Sequence, residues 1–223
     1  MKNIRTLLFL ITTFSMSLTA FSQVSQKDKN AYEELLNQNV KMFYNSHGKV
    51  ENQQVLKKFE RLKNMADDQW LPLYYTALTR IYLVNDLSGE DRQNNYLDLA
   101  AEELKKAAVL GDNSEVQVAL ARVYIKKVML DPTKGPAYTG KIREHLKNAV
   151  QMDSDNPRVF LMYGIYYLNF PSFAGGDHEK GEKSILKAAR LFEAESENLN
   201  ENNFISPHWG KGWNAKYVKA IQG

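Results

Sequence analysis

Apolar residues recur along this chain at intervals of three and four, and strict alternation is rare. That spacing keeps one face of a helix apolar and is the signature of amphipathic helices rather than strands. It predicts helices near 27–46, 50–65, 70–85, 92–110, 114–130, 137–152, 156–169, 177–198 and 211–221. The breaks between them carry stop signals: His47-Gly48, Gly111-Asp112-Asn113, Asp131-Pro132, Asp155-Asn156-Pro157, Pro171 and Pro207. The expected fold class is therefore all-α.

The apolar faces repeat. Tyr75, Leu78, Thr79 and Tyr82 have the spacing i, i+3, i+4, i+7, and so do Gln117, Leu120, Ala121 and Tyr124, and Phe160, Tyr163, Gly164 and Tyr167. The third member is small each time, which lets a neighbouring helix approach closely there, and the fourth is Tyr. Tyr82 precedes Tyr124 by 42 residues, and Tyr124 precedes Tyr167 by 43. The alternate helices repeat as well: Ala100, Leu104 and Ala107 match Ile142, Leu146 and Ala149, and then Gly181, Ile185 and Ala188. A fainter pair stands before them, with Val40 and Tyr44 on one helix and Val55, Phe59 and Leu62 on the next.

These two faces resemble the tetratricopeptide repeat (TPR) over roughly 70–190, and more faintly over 30–65. That family places a large residue, Leu, a small residue and an aromatic on helix A, then small, large and small on helix B. The chain departs from it in period, which exceeds the usual value of about 34, and in Gln117, which replaces the large residue. The extra residues fall in Asp86–Gln93, Asp131–Gly140 and Phe170–Gly176, the last of which leads through "FAGGD" into the next helix, as loops do in bacterial exported TPR-like proteins. The resemblance implies an α-solenoid of antiparallel helix pairs, three to four repeats long, with a C-terminal capping helix. Trp213, Tyr217 and Ile221 share one face of that final helix and read as a lid on the third unit.

The first residues read differently. Lys2 and Arg5 precede an apolar run from Leu7 to Leu18 and then Ala20-Phe21-Ser22, the layout of a secretory signal peptide. The run is shorter than the roughly 20 residues a spanning helix needs. The expected organisation is a signal peptide over 1–22 and one helical-repeat domain over 23–223, periplasmic or secreted and not membrane-spanning. Removing Lys2 and Arg5 lowers the formal charge from +3 to +1. A nearly neutral chain lacks the cationic surface that nucleic acid requires. There is no Cys, so apolar packing rather than disulfides must hold the fold.

Catalytic and metal chemistry find little support. Gly175-Gly176-Asp177 is not a phosphate loop, because a helix rather than a strand precedes it and His178-Glu179 follows where Lys and Ser or Thr would stand. It reads as a turn with Asp177 capping the next helix. His47, His145, His178 and His208 show no metal-ligand spacing, and no GxSxG or catalytic Cys is present. The expectation is no enzyme, no metal and no cofactor.

Binding residues follow from the resemblance, which implies that helix A lines a concave groove. The positions just past the small residue are Arg80, Arg122 and Ile165, with Lys126 and Asn169 one turn on. Two arginines on one wall suit a carboxylate, since a guanidinium binds it through two parallel N–H bonds. Structural ion pairs within the solenoid are the competing role. Tyr74, Tyr166 and Phe173 are pocket candidates, and packing aromatics are the competing reading. Tyr82, Tyr124 and Tyr167 read as core. Two functions remain open: a scaffold that binds a protein or peptide of acidic character in its groove, or a periplasmic small-molecule-binding or transport-accessory protein with an aromatic and Arg-lined cavity. N-terminal sequencing of the exported protein is expected to begin near Gln23; a retained Met1 would overturn the leader assignment.

Overall fold

A computed structural model describes residues 29–223, and the leader assigned to 1–22 lies outside them. The described residues are all-helical: α1 over 29–45, α2 Lys49–Leu62, α3 Trp70–Leu83, α4 Glu90–Gly111, α5 Ser114–Leu130, α6 Gly135–Met152, α7 Pro157–Asn169, α8 His178–Asn198 and α9 Lys211–Gln222. Side-chain caps start three of them. Asn113 accepts from the Val116 N–H, Asn156 from the Arg158 N–H and Asp177 from the Lys180 N–H. Each satisfies a backbone donor that the first turn leaves unpaired.

The helices pack mainly in consecutive pairs, α3 on α4, α5 on α6 and α7 on α8, while α5 also touches α3 and α7. The core runs through the repeated faces. Leu78, Ala100, Leu104, Ala107, Ala121, Ile142, Leu146, Ala149, Ile185 and Ala188 are all fully buried. Single 3-10 turns follow α3, α5 and α7, and the second helices of the first and third pairs are long, 22 residues in α4 and 21 in α8. In the third pair Phe160, Tyr163 and Tyr167 stay half-buried. No further pair covers them; Tyr163 and Tyr167 stack on each other at 5.7 Å, and Lys187 covers the ring of Phe160.

Helices α7 and α8 cross at glycine. A Cβ at Gly164 would collide with the side chain of Ile185 and come within 3.3 Å of the Gly181 carbonyl, and one at Gly181 would collide with Leu168. The turn that joins these helices needs glycine for a second reason. Gly175 has φ +94°, and any side chain on Gly176 would run into the Phe170 carbonyl.

After α8 the chain does not simply cap the third pair. Residues 199–210 form an irregular strap that returns to the other end of the molecule. The Tyr75 hydroxyl donates to the Ile205 carbonyl at 2.9 Å, the His208 N–H donates to the Tyr44 hydroxyl at 2.8 Å, and the His208 ring stacks on Tyr44 at 3.6 Å. Helix α9 then packs on α8, with Tyr217 reaching Asn169 of α7. The sequence places Trp213 over the third unit. It lies instead against Arg122 of α5, because the strap has already carried the chain back across the helices.

A buried ionic cluster fastens the strap. Arg158, at the start of α7, donates Nε to Glu115 at 2.7 Å and both terminal nitrogens to Glu195, at 2.6 and 3.0 Å. Asn156 also donates to Glu115, and the Tyr74 hydroxyl donates to the other Glu115 oxygen at 3.1 Å. The Trp209 indole N–H donates to that hydroxyl at 2.7 Å. Burial pushes the Glu115 carboxyl above its usual range while Arg158 and Tyr74 pull it back. The cluster joins α3, α5, α7, α8 and the strap at one point.

Two substitutions test this packing. Gly164→Leu is expected to cost about 1–3 kcal/mol through overpacking and to lower the melting temperature by several degrees; wild-type melting would show that the α7–α8 crossing is looser than described. Arg158→Met should cost about 3–5 kcal/mol, because it strands buried carboxylates. Adding Glu115→Gln should recover part of that loss in urea denaturation, whereas strictly additive losses would deny the coupling.

Candidate functional site

A cavity of about 630 Å³ lies where the strap and α9 roof the α3–α5 surface. Its walls come from three regions: Ile81 and Tyr82 at the end of α3 with Asn85 in the 3-10 turn that follows, Arg122, Ile125, Lys126 and Met129 on α5, and Gly210 at the end of the strap with Gly212, Trp213 and Lys216 at the start of α9. The helical period explains the α5 set, since positions 122, 125, 126 and 129 share one stripe. Gly210 lets the chain turn into α9. Its φ is +109°, and a Cβ there would press on Phe192 and Leu161 at 2.9 and 3.0 Å.

Arg122 is the buried cation of this cavity, with 7% of its surface exposed. Its guanidinium carbon stands 4.5 Å from the ring centres of both Tyr82 and Trp209 and 5.2 Å from that of Trp213. Rings of this kind hold a cation through their negative faces. No carboxylate pairs with it, and its buried Nη1 has no acceptor among the described residues. One turn on, Lys126 is half-buried and donates to the Asn85 side chain at 2.6 Å. Burial, and then the charge of Arg122, push its ammonium below the usual range. Lys216 is exposed at the mouth.

The expected groove residues thus separate. Arg122 and Lys126 line the cavity together. Arg80 does not join them: it is turned to Glu60 in an ion pair at 2.5 Å, with its guanidinium beside Tyr96. Its equivalence to Arg122 by register fails because α2 offers a carboxylate beside Arg80, while the strap and α9 each offer a tryptophan beside Arg122. Ile165 is fully buried in the core and lines no groove. Asn169 donates to the Ile165 carbonyl and to the Tyr217 hydroxyl, at the edge of a second cleft.

The pocket candidates separate too. Tyr74 is fully buried in the Arg158 cluster, and Tyr166 is fully buried with its hydroxyl donating to the Ala174 carbonyl. Both are structural, because each phenol finds its partner inside the protein. Phe173 is 91% exposed on the turn before α8 and borders the second cleft, about 910 Å³, with Met129, Pro136, Arg143 and Pro171. That cleft is larger, yet no buried polar group in it lacks a partner, and Phe173 is its only aromatic wall beside the buried Phe170. The smaller cavity is therefore the better candidate.

Sequence reasoning missed Trp209 and Lys216, and Tyr82, read as core, packs against the core while also lining the cavity. Two tryptophans four apart in "WGKGW" were the available signal, since a pair at that spacing reads as a single aromatic surface on a helix. Here the first is held in the strap and the second on α9, and Arg122 touches both. Among the described residues no group of three or more His, Cys, Asp or Glu is arranged to hold a metal ion, and no helix is long and apolar enough to cross a membrane.

No protein-family model matches the chain, and no curated protein matches it. Among solved structures it is similar to the HusA haemophore from Porphyromonas gingivalis, with 23% identity, a TM-score of 0.73, and coverage of 86% of this chain and 92% of that one. The two proteins share an all-helical fold over nearly their whole lengths.

Proposed function

We propose that this chain is an exported binding protein for a flat, largely apolar small molecule that carries carboxylates, of the haem or porphyrin type. One observation carries the reading: Arg122, buried and without a carboxylate partner, stands in an aromatic cage on the wall of the cavity. An arginine so placed binds an anion that arrives from outside the protein. Tyr82, Ile125, Met129 and Trp213 supply apolar and aromatic surface for the body of such a molecule. A cavity of about 630 Å³ is of the size that holds cofactor-like ligands. The shared fold with a protein named as a haemophore supports the same choice of ligand class.

An open groove for a protein or peptide is less well supported, since the strap and α9 cover the surface where such a partner would lie. The consecutive pairing of helices supports reading the fold as a short TPR-like solenoid, modified by that cover. The chain acts by binding and not by catalysis, and its leader would deliver it outside the cytoplasm.

Haem titrated into the purified chain is expected to quench tryptophan emission saturably, because two of the three tryptophans flank the site. Trp213→Ala should weaken binding by about tenfold or more, equivalent to about 1.4 kcal/mol. Linear, unsaturated quenching that is the same in wild type and variant would overturn the reading.

A further inference from the structure

The charges of the cavity are of one sign. Arg122, Lys126 and Lys216 line it, and no Asp or Glu does. The arrangement also has depth, with Arg122 buried, Lys126 half-buried and Lys216 exposed at the mouth. The other buried arginines, Arg80 and Arg158, both rest on carboxylates, so the missing counter-ion at Arg122 is particular to this site. Three aromatic rings crowd the guanidinium. Rings neutralise part of a cation's field but accept its N–H bonds poorly. What Arg122 still lacks is an acceptor for its N–H edge, and a planar carboxylate fits that edge with two parallel bonds.

The mouth has a separate need. Lys126 is steadied only by the neutral Asn85 side chain, and Lys216 has no ion-pair partner among the described residues. The lowered affinity of Lys126 for its proton reflects burial beside Arg122 without a compensating anion. One carboxylate at Arg122 would leave these two ammonium groups unanswered.

We infer that the cavity selects dicarboxylates, with one carboxylate seated on the guanidinium of Arg122 and the second held at the mouth between Lys126 and Lys216. This rests on the small-molecule reading above and narrows it. Selectivity follows from the cost of closing a cavity over unpaired charge. A neutral ligand of the same shape would further desolvate Arg122 while giving it no acceptor.

Protoporphyrin IX, its monomethyl ester and its dimethyl ester, titrated into the full chain with tryptophan quenching as readout, test this. Affinity is expected to fall by about tenfold or more from diacid to diester, with the monoester between. Arg122→Gln should weaken the diacid and bring diacid and diester within about threefold of each other, and Arg122→Lys should not restore the difference, because an ammonium lacks the fork. Lys126→Gln with Lys216→Gln should lower diacid affinity more than diester affinity and so narrow the difference between them. This pair and the wild-type ester series decide the matter if Arg122→Gln does not fold by circular dichroism. Equal binding of diacid and diester to the wild type would overturn dicarboxylate selection and leave the small-molecule reading standing. Failure of all three to bind would remove that reading for porphyrins, and the selectivity with it.

Discussion

The arrangement of the molecule depends on one buried arginine. Arg158 is 4% exposed and holds Glu115 and Glu195 at once. Removing two carboxylates and a guanidinium from water is costly, and only a fully bonded geometry offsets it. The geometry here is complete on both sides. Glu115 takes bonds from Arg158, Asn156 and Tyr74, and Tyr74 in turn takes the Trp209 N–H. Apolar packing alone would let the strap slide over the helices, since it has no direction. The cluster makes the position of Trp209 specific.

The cavity inherits that specificity. Trp209 fixes one face of the aromatic cage, Gly210 turns the chain directly after it, and α9 then brings Trp213 and Lys216 to the same space. A structural ion cluster on one side of Trp209 thus orients a binding surface on the other. The contrast among three arginines shows how strongly surroundings decide role. Arg80 meets Glu60 and Arg158 meets two glutamates, and both are structural. Arg122 meets only rings on the wall of the cavity, and its buried Nη1 has no acceptor among the described residues.

Much of the fold was legible because it depends on local chemistry. Helical spacing of apolar residues, the stop signals that contain Asn113 and Asn156, capping by Asp177, and the glycine turn at Gly175 each involve residues close in the chain. The recurring helical spacing of apolar and small residues was legible for the same reason, and Ala121 and Gly164 are both buried. Register failed where it was extended to function. Arg80 and Arg122 occupy equivalent positions but meet different neighbours, and Tyr82 and Tyr124 do likewise: Tyr82 lies beside Arg122, whereas Tyr124 stacks with Tyr138 and His145. Ile165, Tyr74 and Tyr166 were candidates by position, yet burial withdraws them from any ligand.

The sequence by itself determined the helices, their ends, the small residues at close crossings and the absence of cysteine chemistry. Those properties follow from interactions within about one or two helical turns, or from composition. Only the tertiary structure decided which cation would be free. That choice depended on contacts between residues far apart in the chain, such as Tyr44 with His208 and Tyr74 with Trp209, made by a strap whose own sequence carries no periodic signal. An irregular segment has no repeating pattern to announce its path. Its course is set by the partners it finds, and those exist only once the helices have assembled.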